Sequence, residues 1–185
     1  MKADKLLGQF LLGLCVCAAP ACASGGQWGH SPNYQPQSEE EAALEGSTEY
    51  DPVMAGRSPE KWRNKSIHLF GVVTERKAAA GGLADVTVSM RALEPRNLCE
   101  TSEADSCRVT VSEREHARVH VLLKLLPEGD IGSESVNTLS LLRIVGTLSD
   151  EPSATDGSPV IRAKYYRHWP RNYYVTTAAR SYMKR

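Results

Sequence analysis

Residues 66–76 read SIHLFGVVTER and residues 139–148 read LSLLRIVGTL. Both runs are β-branched and apolar, and each carries one glycine, Gly71 and Gly146. A glycine inside a strand permits a sharp bend or the close approach of a second backbone. Working outward, Ala84 to Ala92 alternates, with Val86, Val88 and Met90 on one face and Asp85, Thr87, Ser89 and Arg91 on the other. Ala117 to Leu126 sets Val119, Val121, Leu123 and Leu125 opposite Arg118, His120 and Lys124. Ser112-x-x-Glu115 just before it is a capping-box pattern that would begin a helix, but the valines and the alternation favour a strand. Val160 to Arg167 (VIRAKYYR) places Ile161, Ala163 and Tyr165 on one face and Arg162, Lys164 and Tyr166 on the other. Turn chemistry fills 78–82 (AAAGG), 127–135 (PEGDIGSES) and 150–159 (DEPSATDGSP). Ser58-Pro59-Glu60-Lys61-Trp62 reads as a short N-terminal helix with Ser58 as cap and Pro59 at the first helical position. A second short helix is expected over Thr177 to Lys184.

Five short, mostly alternating strands with mid-strand glycines predict a mainly β domain, closed or nearly closed into a small barrel. A β-sandwich is the competing fold. The stretches SIHLFGVVTER, LLRIVGTLSDEP and DGSPVIRAKYYR resemble the first, fourth and fifth strands of the barrel in bacterial OB-fold proteins, over about Ser66 to Tyr174. The resemblance implies a five-stranded OB-like binding module, whose typical ligands are oligonucleotides, oligosaccharides or proteins. Glu94 to Glu115 departs from it, being longer than a simple hairpin.

The 185 residues hold 22 Lys+Arg and 22 Asp+Glu, a net charge of +0, and 41% are hydrophobic. That balance excludes a collagen-like or wholly disordered chain, a polytopic membrane protein and a large multidomain enzyme. The N-terminus, MKADKLLGQFLLGLCVCAAPACASGG, has a basic start, a short apolar run and small residues, the three parts of a secretory signal peptide over residues 1–21. Two processing routes are open. Ala19-Pro20-Ala21 or Ala21-Cys22-Ala23 forms a small-x-small cleavage site, whereas AAPACASGG resembles a bacterial lipoprotein signal in which Cys22 is lipidated. Acyl chains contribute about 0.8 kcal/mol per buried CH₂, so several on Cys22 would hold the chain on a membrane. Ala23 after Cys22 resembles outer-membrane sorting, and the expected location is the periplasm-facing cell envelope.

Residues 22–56 are rich in Gly, Pro, Ser, Gln and Glu, with Glu39, Glu40, Glu41, Glu45, Glu49 and Asp51 and no Lys or Arg. Such a composition reads as a flexible acidic linker, with Trp28, Tyr34 and Tyr50 as solvated linker residues rather than docking aromatics. The domain is then 57–185. It carries 20 Lys+Arg against 15 Asp+Glu, or +5 (20 − 15).

Cys99 and Cys107 lie in a polar loop between strand patterns. In an oxidising compartment they are expected to form a structural disulfide, worth about 2.5 kcal/mol for a loop of this length in the chain-entropy model. No cofactor is implied. His116 and His120 share a face on either a strand or a helix, with Glu115 adjoining and His68 and His168 elsewhere, but a zinc site needs three or four convergent ligands and the expectation is no metal. No nucleophile elbow, phosphate loop or paired-carboxylate pattern appears, so no catalytic residue is expected.

The strongest local feature is residues 163–185, AKYYRHWPRNYYVTTAARSYMKR. From Val160 to Arg185 there are seven basic residues, no acid and six of the chain's twelve aromatics. Planar rings beside cations suit an acidic protein surface, sugar rings or single-stranded nucleic acid. The expected function is a non-enzymatic, lipid-anchored binding module that engages an envelope protein or glycan through Arg162, Lys164, Tyr166, Arg167, Trp169, Arg171 and Tyr173. The alternative is an OB-fold module binding single-stranded nucleic acid, which an exported protein rarely meets.

Overall fold

The computed structural model describes residues 28, 31–99, 107–126 and 130–182. Its elements are α1 (Ser38–Leu44), β1 (Thr48–Glu49), α2 (Pro52–Arg57), β2 (Ser66–Ala78), β3 (Ala84–Arg91), β4 (Leu93–Leu98), β5 (Arg108–Val111), β6 (Ala117–Leu123), β7 (Leu141–Leu148), β8 (Val160–Trp169) and β9 (Tyr174–Thr176), with 3-10 turns between some of them. No described helix is long and apolar enough to cross a membrane.

Strands β2-β3-β6-β8-β7 run in that order, and β7 returns to pair with β2. All neighbours are antiparallel except β6 and β8. This is a closed, five-stranded, mixed OB-like barrel, so the sandwich alternative falls. SIHLFGVVTER, LLRIVGTL and VIRAKYYR supply its first, fourth and fifth strands, as the resemblance implies. The alternation in β3 and β6 aims Val86, Val88, Val119, Val121 and Leu123 into the barrel, where they pack with Ile67, Leu69, Val73, Leu142, Ile144 and Ile161. Gly71 lets β3 approach β2 closely: a Cβ there would sit 2.1 Å from Val88 Cγ1 and 2.9 Å from the Ser89 carbonyl.

A second apolar layer lies outside the barrel. Phe70 and Val72 of β2, Leu141 of β7 and Trp169 of β8 pack against Val109 and Val111 of β5. Strand β5 belongs to a three-stranded sheet, β4-β5-β9, with β5 and β9 parallel. The long stretch Glu94 to Glu115 builds two of its strands, and Tyr174–Thr176 adds a strand that the sequence reading omits. β7 is apolar at successive positions because one face meets the barrel core and the other meets this layer, as in sheets covered on both sides.

The linker reading of 22–56 is corrected from residue 31 onward. β1 pairs parallel with β2 (Thr48 with Ile67, Glu49 with His68), and Glu40 and Tyr50 are buried. The segment has few aliphatic residues, but it borrows apolar partners from the barrel. Tyr34 stands edge-on to Phe70 with centroids 5.4 Å apart, and Tyr50 edge-on to Trp62 at 5.7 Å. Tyr34 and Tyr50 are thus docking aromatics, and so is Trp28, 4.8 Å from the Tyr173 ring.

The short helix is also displaced. Asp51, not Ser58, caps it, accepting from the Val53 and Met54 N–H groups at 2.9 Å, with Pro52 at the first position. Pro59–Lys61 forms only a 3-10 turn without a side-chain cap, although Trp62 does pack on the domain. The C-terminal helix is a 3-10 segment, Thr177–Tyr182. Residues 1–22, and Cys22 with them, lie outside the described residues.

Candidate functional site

β8 carries most of the basic-aromatic cluster, and a bulge decides where its side chains go. Opposite β7, Val145 faces Tyr165 and Gly146 faces Ala163, so Lys164 has no partner in the register. One unpaired residue inverts the alternation beyond it. Gly146 makes room: a Cβ there would lie 2.3 Å from the Arg162 carbonyl oxygen. The faces read from the sequence therefore hold only up to Ala163. Beyond the bulge Tyr166 packs on the barrel core, whereas Trp169 enters the outer layer.

This corrects two of the expected binding residues. Trp169 is 0% exposed and donates from Nε1 to the Trp28 carbonyl at 3.0 Å. Arg167 is 6% exposed, and its Nη1 donates to Glu40 Oε2 at 3.0 Å and to the Gln35 carbonyl at 3.3 Å. Its guanidinium lies 4.6 Å from the Trp169 ring centroid. Arg143 also reaches Glu40, its Nε 3.9 Å from Oε1, and stacks 4.4 Å over Phe70. Burial lowers the Arg143 pKa, with Tyr34 and Glu40 opposing. Tyr34 donates its hydroxyl to Glu40, and burial followed by the Glu40 charge drives that phenol's pKa up. Cation and ring do interleave here, but inside the protein.

What remains open is a groove of about 760 Å³ beside the second half of β8. β6 pairs with β8 only as far as Leu122 opposite Arg162. Past that point Lys164, Tyr165, Tyr166 and His168 line the groove with Leu123 at the end of β6, Lys124 and Leu126 beyond it, and Trp28, Gln37 and Glu39 of the N-terminal segment. Of the seven expected residues it takes Lys164, Tyr166 and the buried Arg167. Arg162, Arg171 and Tyr173 stand outside it, the first two exposed and the last half-buried. Trp28, Gln37 and Glu39 escape the sequence reading because their segment looks like spacer. A low count of aliphatics gave no hint of borrowed packing.

Burial raises the Tyr165 pKa to about 12, helped by Glu40 and opposed by Arg167. The Tyr166 hydroxyl accepts from the Leu126 N–H at 3.3 Å. Burial lowers the His168 pKa to about 4, so its ring is neutral near pH 7, and its buried Nε2 has no hydrogen-bond partner among the described residues.

A second, smaller hollow of about 420 Å³ lies on the β3–β6 side, lined in part by Thr87, Arg118, His120 and Asp156. His120 is buried, with Nδ1 2.9 Å from Asp85 and Nε2 3.3 Å from Asp156, the latter without hydrogen-bond alignment. The Ser158 backbone N–H and hydroxyl, with His120 behind them, lower the Asp156 pKa to about 2. This clasp ties the 149–159 loop to the barrel. His116 is exposed and apart from it. Among the described residues no three His, Cys, Asp or Glu side chains group as metal ligands. Cys99 and Cys107 form the expected disulfide, with Cα atoms 4.2 Å apart.

No protein-family model matches the sequence, and a search of curated proteins finds no match. Among solved structures the chain is similar to a deletion mutant of the single-stranded DNA binding protein from Thermus aquaticus, at 20% identity over 57% of this chain and 50% of that one, with a TM-score of 0.29. The match spans half the length of that protein. The OB-like assignment rests on the strand order and closure described above.

Proposed function

We propose that this chain is a non-enzymatic binding module of the bacterial cell envelope that engages a protein partner through the groove beside β8. The groove is the observation that carries the reading. It joins an exposed cation, Lys164, to half-buried tyrosines and to Leu126, which is 60% exposed. Exposed aliphatics beside aromatics favour a protein over a glycan or a nucleic acid. The nucleic-acid alternative is weaker because Glu39 and Glu134 line the same groove and Glu40 occupies the Arg167 charge. Export is supported by the three-part N-terminus, with Cys22 as the acylated residue, the outer membrane as the site and the periplasm as the compartment. The Cys99–Cys107 bridge suits an oxidising compartment.

The test is affinity capture from solubilised envelopes, with wild type compared with Lys164→Glu and Leu126→Asp. Both side chains are exposed, so the fold should survive, and circular dichroism checks it. Loss of the captured protein supports the reading; undiminished capture removes it. Salt-sensitive binding of single-stranded oligonucleotides at ~50 mM salt would move the alternative forward. Mass spectrometry of the mature N-terminus decides between acylated Cys22 and plain cleavage.

A further inference from the structure

β8 outruns its neighbour. It pairs with β7 from Ile161 to Trp169, whereas the β6 pairing stops at Arg162. From Ala163 to Trp169 one edge of β8 thus has no strand beside it among the described residues. Alternate residues on such an edge present backbone N–H and C=O groups with nothing to bond, a template for another strand. The groove lies along this edge. We infer that it takes an extended segment of a partner protein, which adds to the barrel as a strand beside β8.

This rests on the groove being the binding site, and it names the mode and the partner's chemistry. Backbone amides recognise a peptide backbone, while side chains on alternate positions supply specificity. At about 3.3 Å per residue the open edge is roughly 20 Å long, enough for six or so residues. Side chains of the incoming strand would point alternately toward Leu123, Leu126 and Val136 and toward the outer wall. Apolar residues fit the first set. Lys124 and Lys164 are exposed and make no ion pair among the described residues, so they call for acidic residues nearby.

The test uses the full chain in detergent and a displayed library of short random peptides. Selected peptides should alternate apolar and polar residues and include an acid. Each is then resynthesised with single backbone N-methyl groups. Strand addition predicts about 10-fold or greater weakening at every second position and little at the positions between, since only alternate amides face β8. Weakening without that period, or none, overturns it without touching the protein's own stability. If no peptide binds while capture of an envelope protein still depends on Lys164, strand addition fails and the groove reading stands. If capture is also indifferent to Lys164→Glu, both fall. A benzophenone at position 126 that cross-links only to a second copy of the chain, a glycan or an oligonucleotide also overturns the inference.

Discussion

Arg167 Nη1 donates to Glu40 Oε2 at 3.0 Å, and both side chains are buried although 127 residues separate them in sequence. The pair fastens α1, in a segment that looks like a solvated linker, to the outer face of the barrel. Removing one partner strands a buried charge, which costs about 3–5 kcal/mol. Glu40→Gln should therefore lower stability by about that amount, read as a shift in the urea midpoint. Pairing it with Arg167→Met should recover part of the loss, because the guanidinium that lost the Glu40 carboxylate goes too. Additive losses in the double variant would mean the pair is not coupled.

Two glycines should respond oppositely to alanine. At Gly146 a Cβ meets the Arg162 backbone at 2.3 Å, and backbone cannot swing aside. Gly146→Ala should cost about 1–3 kcal/mol and disturb the β7–β8 bulge. Gly56, inside α2, has nothing within 4 Å of its would-be Cβ. Gly56→Ala should stabilise by about 0.5–1 kcal/mol through helix propensity. Thermal melts of the two variants side by side provide the check.

Acid should loosen the fold through two histidines. His68 and His168 each have a pKa lowered from 6.5 to about 4, chiefly by burial, with Arg143 adding to the effect at His68. The unfolded chain binds these protons first as the pH falls. Their contribution is therefore intact above about pH 6.5 and is lost progressively as the pH falls toward 4. Urea midpoints should decline across that window, and His168→Gln should flatten the slope. An unchanged slope would show that this ring is not buried neutral in solution.

Reducing the Cys99–Cys107 bridge should cost about 2.5 kcal/mol, the loop-closure value for a ring of this size. The loss should centre on β4, β5 and β9, since Cys107 leads directly into β5. Hydrogen exchange of Val109 and Val111 with and without reductant tests this. Uniform deprotection of the whole barrel would argue against a local staple.

The barrel strands were legible because their alternation reports burial on one side and solvent on the other. β7 was legible as a strand too, although its mostly apolar run, interrupted by Arg143, hid the second layer that covers its outer face. The groove was half legible: Lys164 and Tyr166 stand out by type, whereas Trp28 and Glu39 sit in a stretch whose composition signals solvation. Arg167 and Trp169 show the opposite failure, residues of binding type spent on packing.

Local pattern alone marked the five barrel strands and the turns between them, because one-sided burial leaves its alternation in Val, Ile and Leu; barrel closure over a sandwich, and strands β1, β4, β5 and β9, came only with the tertiary structure. Only the tertiary structure decided which way β8 faces past Lys164, because a one-residue bulge depends on how closely Gly146 approaches its neighbour. It also decided that residues 31–56 are ordered, because their burial rests on surfaces contributed by β2 and Trp62 and, through Arg167, by β8, more than a hundred residues further along the chain.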